Sequence, residues 1–192
     1  RDVERSRGLG DVYKRQYPSY VEEEAIHAIH PEYKIKAITA YVYEKFLENI
    51  DKDFVKREGL LFVGGFAHPP NADAVLWFAK EIFPLIRQKI NVNFYVVGSK
   101  VTDEIKALEQ PGSGIIVKGF VTEEELASLY STSRIVVVPL RYGAGVKGKV
   151  VEAVYNGAAI VTTSIGSEGI PEAERVCLLY TSDAADEEDS VD

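Results

Sequence analysis

The residues IVVVPLRYGAGVKGKVVEAVYNGAAIVTT, positions 135–163, decide the fold. The apolar run at 135–138 is too short for a buried helix and stops at Pro139, the pattern of a strand covered on both faces. A glycine-rich turn follows with Arg141, Gly143, Gly145, Val146, Lys147, Gly148 and Lys149, then a helix with Glu152 in its first turns, then a second apolar run, AIVT, at 159–162. Strand, turn, helix and strand make one unit of a parallel sheet. Outward from it, apolar runs recur at 60–64 (LLFVG), 93–97 (NFYVV) and 115–117 (IIV), with helical periods between them. The whole predicts an α/β fold, a Rossmann-like parallel sheet with helices on both faces.

The helices have start signals. Asn71 is expected to cap the first, with Asp73 in its opening turn and Val75, Phe78, Ile82, Leu85 and Ile86 on its inner face. Pro69 and Pro70 stiffen its entry, and Pro84 is expected to kink it near its end. Thr102, Thr122 and a turn near Gly145 open the others. Glu123, Glu124 and Glu125 fall where carboxylates suit a positive helix end, so they read as capping rather than as a metal site.

The chain has 192 residues, formal charge −8, 46% hydrophobic and 27% charged residues, one cysteine and no methionine. That suffices for one α/β domain with extra pieces at its ends. No apolar run approaches the roughly 18 to 20 residues of a membrane span, and the hydrophobic content argues against disorder. A single cysteine excludes a disulfide scaffold. The acidic balance argues against nucleic acid as partner and toward a metabolite, for which a local cluster of Lys and Arg suffices.

Both ends are set apart before the fold is read. SRGLGDVYKRQ at 6–16 resembles the translation of a sequencing-library adapter, and CLLYTSDAADE at 177–187 resembles its partner read in the opposite sense. On that reading, 1–16 and 177–192 are artefact. Removing 5 of 22 basic and 9 of 30 acidic residues leaves 17 against 21, a net charge of −4. Cys177 then carries no role, and without a methionine the remainder is expected to be a fragment. Residues 17–59 read as the end of a preceding domain with a linker, and 60–176 as the main domain, incomplete at its C-terminus. Within 17–59, Ser19 with Glu22 fits a capping box for a helix to about His30, and 33–38 fits a strand. His27 and His30 stand three apart but lack a third ligand, so no metal site is expected.

The chemistry lies at 139–170. The C-terminal ends of parallel strands form a ligand crevice, and a glycine-rich entry to a helix offers unpaired N–H groups to an anion. Lys147 and Lys149 suit a diphosphate, and Glu152 could accept hydrogen bonds from two adjacent sugar hydroxyls. The alternative is a tight turn with solvated lysines and a paired glutamate. For Arg141 the choice lies between facing the crevice and a surface salt bridge. For Ser167, Glu168 and Gly169 it lies between bordering a sugar and turning into Pro171. Of Trp77 and Phe78, at least one must turn inward.

FVGGFAHPPNADAVLWF at 62–78, VVG at 96–98, VKGF at 117–120 and the stretch from 139 to 170 together resemble the C-terminal half of GT-B glycosyltransferases, in particular glycosyltransferase family 4. The resemblance implies a domain that binds a nucleotide-diphosphate sugar for retaining transfer without an obligatory metal or other cofactor. Glu152 would hold the ribose, Gly64 and Gly65 would approach the diphosphate, and Gly119 with Phe120 would border the base. The acceptor, a glycan, lipid or small molecule, would meet a missing N-terminal domain. No catalytic residue can be named, and the chain alone is expected to be inactive. The parent would be cytoplasmic, with a peripheral membrane association left open.

Two departures stand out. The family's Glu-x7-Glu pair lacks its first member, since Ala144 stands eight residues before Glu152. The basic pair after the first strand is absent from GGFAHPPN, so Lys147 or Lys149 is expected to supply the charge, and His68 could reach the donor or serve only structure. A non-catalytic nucleotide- or phosphosugar-binding module is the alternative. A nucleotide-sugar epimerase would need cleft carboxylates and histidines that the sequence does not display.

Overall fold

A computed structural model describes residues 16–17, 20–38, 56–170 and 178–180. A small unit comes first: strand β1 (Gln16–Tyr17), helix α1 (Tyr20–Ile29) and strand β2 (Lys36–Ala37), with β1 and β2 parallel. Ser19 lies outside the described residues. His27 hydrogen-bonds the Tyr33 carbonyl, and His30 stacks on Tyr33 beside Glu32, so both are spoken for locally.

The main sheet follows the apolar runs closely. Its strands are β3 (Leu60–Val63), β4 (Phe94–Val97), β5 (Ile115–Gly119), β6 (Ile135–Val138), β7 (Ala159–Thr163) and β8 (Leu178–Tyr180), in the order β5-β4-β3-β6-β7-β8. Every pairing is parallel. The chain winds from β3 outward to β5, then crosses back to the other side of β3, so the sheet is doubly wound. Leu61, Phe62, Phe94, Val96, Val136 and Val138 are fully enclosed, which is why their strands read as unbroken apolar runs.

The connections are α2 (Pro69–Trp77), a π-helical turn (Phe78–Ile82), α3 (Phe83–Lys89), α4 (Asp103–Lys106), α5 (Glu123–Thr132), α6 (Gly148–Tyr155) and α7 (Ser164–Ser167). Two expectations change here. The residue preceding α2 is His68, whose side chain caps nothing, while Asn71 lies buried inside the helix. Pro84 sits in the first turn of α3, with the π turn directly ahead of it. A proline has no N–H and its ring crowds the carbonyl four residues back; the widened turn absorbs both. Phe78 points inward, with ring centroids 4.9 Å from Phe94 and 6.2 Å from Phe83. Thr102 and Thr122 cap α4 and α5 as expected, accepting from the Ile105 and Glu125 N–H groups, and Thr163 caps α7 in the same way.

Strand β8 falls inside 177–192, the segment read as adapter, and pairs Leu178, Leu179 and Tyr180 with Val161, Thr162 and Thr163. Gln16, in the other such segment, pairs with Lys36. An open parallel edge offers unpaired N–H and C=O groups to any short apolar run, so such pairing does not require a native sequence. Removing 177–192 is expected to leave the thermal midpoint unchanged by circular dichroism. A loss of several degrees, on the scale of about 1 kcal/mol or more, would make β8 a working part of the sheet.

Candidate functional site

The winding of the chain reverses between β3 and β6, so the connections leaving their C-terminal ends run in opposite directions along the sheet. The crevice between them is the place where open α/β sheets hold ligands. From β3 comes the loop of Gly64, Gly65 and Phe66; from β6 comes the turn that ends in α6. Two glycines let the floor close. A Cβ on Gly98 would lie 1.9 Å from the Gly64 carbonyl oxygen, and one on Gly64 would lie 2.7 Å from the Lys149 ammonium. The Gly64 N–H is taken by Val97, whereas the Gly65 N–H has no partner among the described residues.

Lys149 occupies the centre. Its side chain runs back from α6 beneath the β3 loop, where Nζ donates to Asn71 Oδ1 and sits 4.4 Å from the centre of the Phe62 ring. Asn71 Nδ2 in turn donates to the Gly65 carbonyl at 2.8 Å. Burial, then repulsion from Lys147, pushes the Lys149 pKa from its ordinary 10.5 down to about 8, against a smaller upward pull from Glu152. No side chain caps α6, whose preceding residue is Lys147; the Val150 N–H bonds the Lys147 carbonyl, while the Gly148 and Lys149 N–H groups have no partner among the described residues.

The other residues expected at the site divide. Glu152 lies one turn into α6, half-buried, and accepts from the buried Tyr130 hydroxyl at 3.2 Å. Lys147 is engaged: its ammonium binds the Gly145 carbonyl and Glu168, the latter at 3.2 Å. Gly145 is buried and held at φ 78°, and Val146 is half-buried beside it. Glu22 of α1 reaches the same turn, 3.8 Å from where a Gly145 Cβ would stand. Arg141 does not enter the crevice. It grips Asp73 with two hydrogen bonds, one of 2.9 Å, and lies over the Trp77 ring, which resolves its two readings in favour of the surface salt bridge. Gly119 adopts φ 69° and its carbonyl accepts from the Gly98 N–H; Phe120 beyond it is 83% exposed. His68 is exposed on the rim. Among the described residues no three His, Cys, Asp or Glu side chains could share a metal ion, and no helix is long and apolar enough to cross a membrane.

Sequence reasoning missed Asn71 and Tyr130. The sequence places Asn71 at the helix cap, ahead of Asp73 in the opening turn, rather than facing the crevice. Tyr130 left no signal beyond an aromatic on a helix face.

A doubly wound, Rossmann-like parallel sheet of this kind matches the fold of GT-B glycosyltransferases. The family model described as glycosyl transferases group 1 matches residues 57–191, and the chain belongs to that family. It is 30% identical over 142 residues to an uncharacterised 44.6 kDa protein of the cps region of Klebsiella pneumoniae, covering 70% of this chain and 34% of that protein. Among solved structures it superposes on S. aureus TarM, crystallised with fondaparinux, alpha-GlcNAc-glycerol and UDP, with TM-score 0.66, 17% identity, and coverage of 91% of this chain and 35% of TarM. WaaG, a glycosyltransferase of lipopolysaccharide biosynthesis, gives TM-score 0.64 at 14% identity, covering 87% of this chain and 49% of WaaG. The pneumococcal O-GlcNAc transferase GtfA, solved with UDP and GlcNAc, gives 0.62 at 17%, covering 90% and 35%. The chain thus spans about a third to a half of these proteins.

The lowered pKa of Lys149 has a consequence for stability. Between pH 8 and 10.5 the unfolded chain retains a proton at this site that the folded chain has released, so stability gains from rising pH across that window. Below pH 8 the folded state carries the full cost of the buried charge, about 3 kcal/mol at 1.36 per pKa unit. Lys149→Met removes that cost but leaves Asn71 Oδ1 unpaired, worth about 1 to 3 kcal/mol. At pH 7 the variant is expected to melt a few degrees higher than the parent, an advantage that disappears by pH 10. A lower melting point at pH 7 would contradict the buried-charge assignment.

Proposed function

We propose that this chain is the donor-binding half of a retaining glycosyltransferase of family 4 type, which holds a nucleotide-diphosphate sugar for transfer to a separate acceptor. One observation carries the reading: the Lys149 ammonium, brought under the Gly64–Gly65 loop beside the uncapped start of α6. The β3 loop lacks basic residues of its own, and α6 delivers the charge to it from behind. Lys149 is preferred over Lys147 for the diphosphate, since Lys147 already faces the Glu168 carboxylate while Lys149, among the described residues, donates only to the neutral Asn71 amide. Gly65 and the opening N–H groups of α6 complete the cradle. Glu152, steadied on one oxygen by Tyr130, keeps the other for ribose hydroxyls. Gly119 and Phe120 border the base.

Such a site works by orienting the donor and neutralising the departing diphosphate. It needs no metal for that purpose, and the acceptor and catalytic groups belong to the rest of the parent protein. The fragment alone is inactive on this reading. UDP in the crystals of TarM and GtfA makes uridine diphosphate the first ligand to try.

In titration calorimetry with uridine, guanosine and adenosine diphosphates, the chain is expected to bind at least one. Lys149→Met and Glu152→Gln should each weaken binding about ten- to hundredfold, the worth of a charge-assisted hydrogen bond of about 1.5 to 3 kcal/mol. Lys106→Ala, on the exposed face of α4, should change nothing. Binding that both site variants retain in full would move the donor site elsewhere.

A further inference from the structure

We infer that Asn71 is a positioning residue of the donor site: from inside α2 it fixes the Gly65 carbonyl with one end of its amide and the Lys149 ammonium with the other. The inference rests on the donor-site reading above and names the residue that makes the cradle usable. The amide is buried, and both of its ends are engaged across three separate segments, the β3 loop, α2 and α6. A buried asparagine that served the helix alone would cap it or bond its backbone; this one does neither.

The side chain type matters as much as the contact. An ammonium held for an anion needs an acceptor that fixes it without cancelling it, and an amide oxygen does this where a carboxylate would not. Two polar links in series also set the distance between cation and loop, so the Gly65 N–H and the Lys149 ammonium approach one ligand together. The charged groups facing Lys149 are Lys147, which precedes α6, and Glu152 within it; α2 contributes the neutral Asn71, and β3 with its loop contributes Phe62 and Gly64. From α2, Asn71 thus holds the ammonium without neutralising it.

The test uses the full chain with the near-isosteric variants Asn71→Asp and Asn71→Leu. The first readout needs no nucleotide: the pH dependence of Lys149 acetylation by trace acetic anhydride, read at residue level by mass spectrometry. The parent midpoint is expected at about 8. Asn71→Asp should raise it by about 1 to 3 units, and Asn71→Leu, which removes the acceptor while keeping the site dry, should lower it. Opposite displacements are not produced by a merely structural role. The second readout is affinity for whichever of uridine, guanosine or adenosine diphosphate the parent binds, which both variants should weaken about tenfold or more, the Asp variant because its carboxylate cancels the cation. Unchanged acetylation midpoints would overturn the inference even if affinity fell. Displaced midpoints with unchanged affinity would also overturn it, since Asn71 would then position Lys149 for something other than the diphosphate. A parent chain that binds none of the three nucleotides would overturn the donor-site reading, and the role of Asn71 in it along with it. Should Asn71→Leu fail to fold, the midpoint of Asn71→Asp decides alone.

Discussion

An ammonium taken out of water must be met by something that stabilises charge, and at Lys149 the protein supplies little: one amide oxygen, the face of one phenylalanine and a glycine loop that leaves room. The group is consequently under-compensated, which is what its lowered pKa expresses. Most of the crevice follows from accommodating it. A side chain on Gly64 would have to displace the ammonium, Asn71 faces inward instead of capping its helix, and Phe62 turns its ring toward Nζ. A site built for an anion is expected to look deficient without one, because the missing stabilisation is what the ligand brings.

The topology explains why this deficiency sits where it does. Right-handed crossovers carry α2, α3 and α4 to one face and α5 and α6 to the other, so the ends of β3 and β6 are the one point in the sheet where neighbouring strands send their chains apart. Between β3 and β6 the backbone opens, and the helix that starts there, α6, brings its own N-terminus and Lys149 to the gap. The fold thus provides a crevice with positive character before any particular side chain is chosen; Lys149, Glu152 and Tyr130 refine it.

The strands were legible because burial on both faces leaves no room for alternation, and 60–63, 94–97 and 135–138 read as unbroken apolar or aromatic runs. The caps at Thr102 and Thr122 were legible for a similar reason, since a threonine three residues ahead of a free N–H needs only local geometry. Asn71 obeyed the same local rule and broke it. A partner 78 positions away, Lys149, outbid the helix end for its amide, and no window of sequence contains both. Arg141 was ambiguous on the same grounds, being resolved only by Asp73, 68 residues earlier. The glycine-rich turn and Glu152 announced a site, whereas the pairing of Lys147 with Glu168 and of Tyr130 with Glu152 belongs to tertiary structure. Those pairings change which lysine remains available to an anion.

The two halves of the sheet are joined thinly in backbone terms: β3 and β6 share two paired positions, against four between β3 and β4. Side chains make up the difference at the crevice. Arg141 with Asp73 links α2 to the turn after β6, and Asn71 with Lys149 links α2 to α6. They are not equivalent. The arginine pair is exposed and lies over Trp77, where water screens it and its contribution to stability is small. The lysine bond lies in an enclosed space where charge-assisted hydrogen bonds are worth about 1.5 to 3 kcal/mol, yet it must first offset the desolvation of the ammonium. The exposed pair therefore serves mainly to hold the halves in register, while the enclosed one gives up stability to keep a charge in place. A ligand with negative charge at that point would reverse the balance, tightening the joint between the halves as it binds.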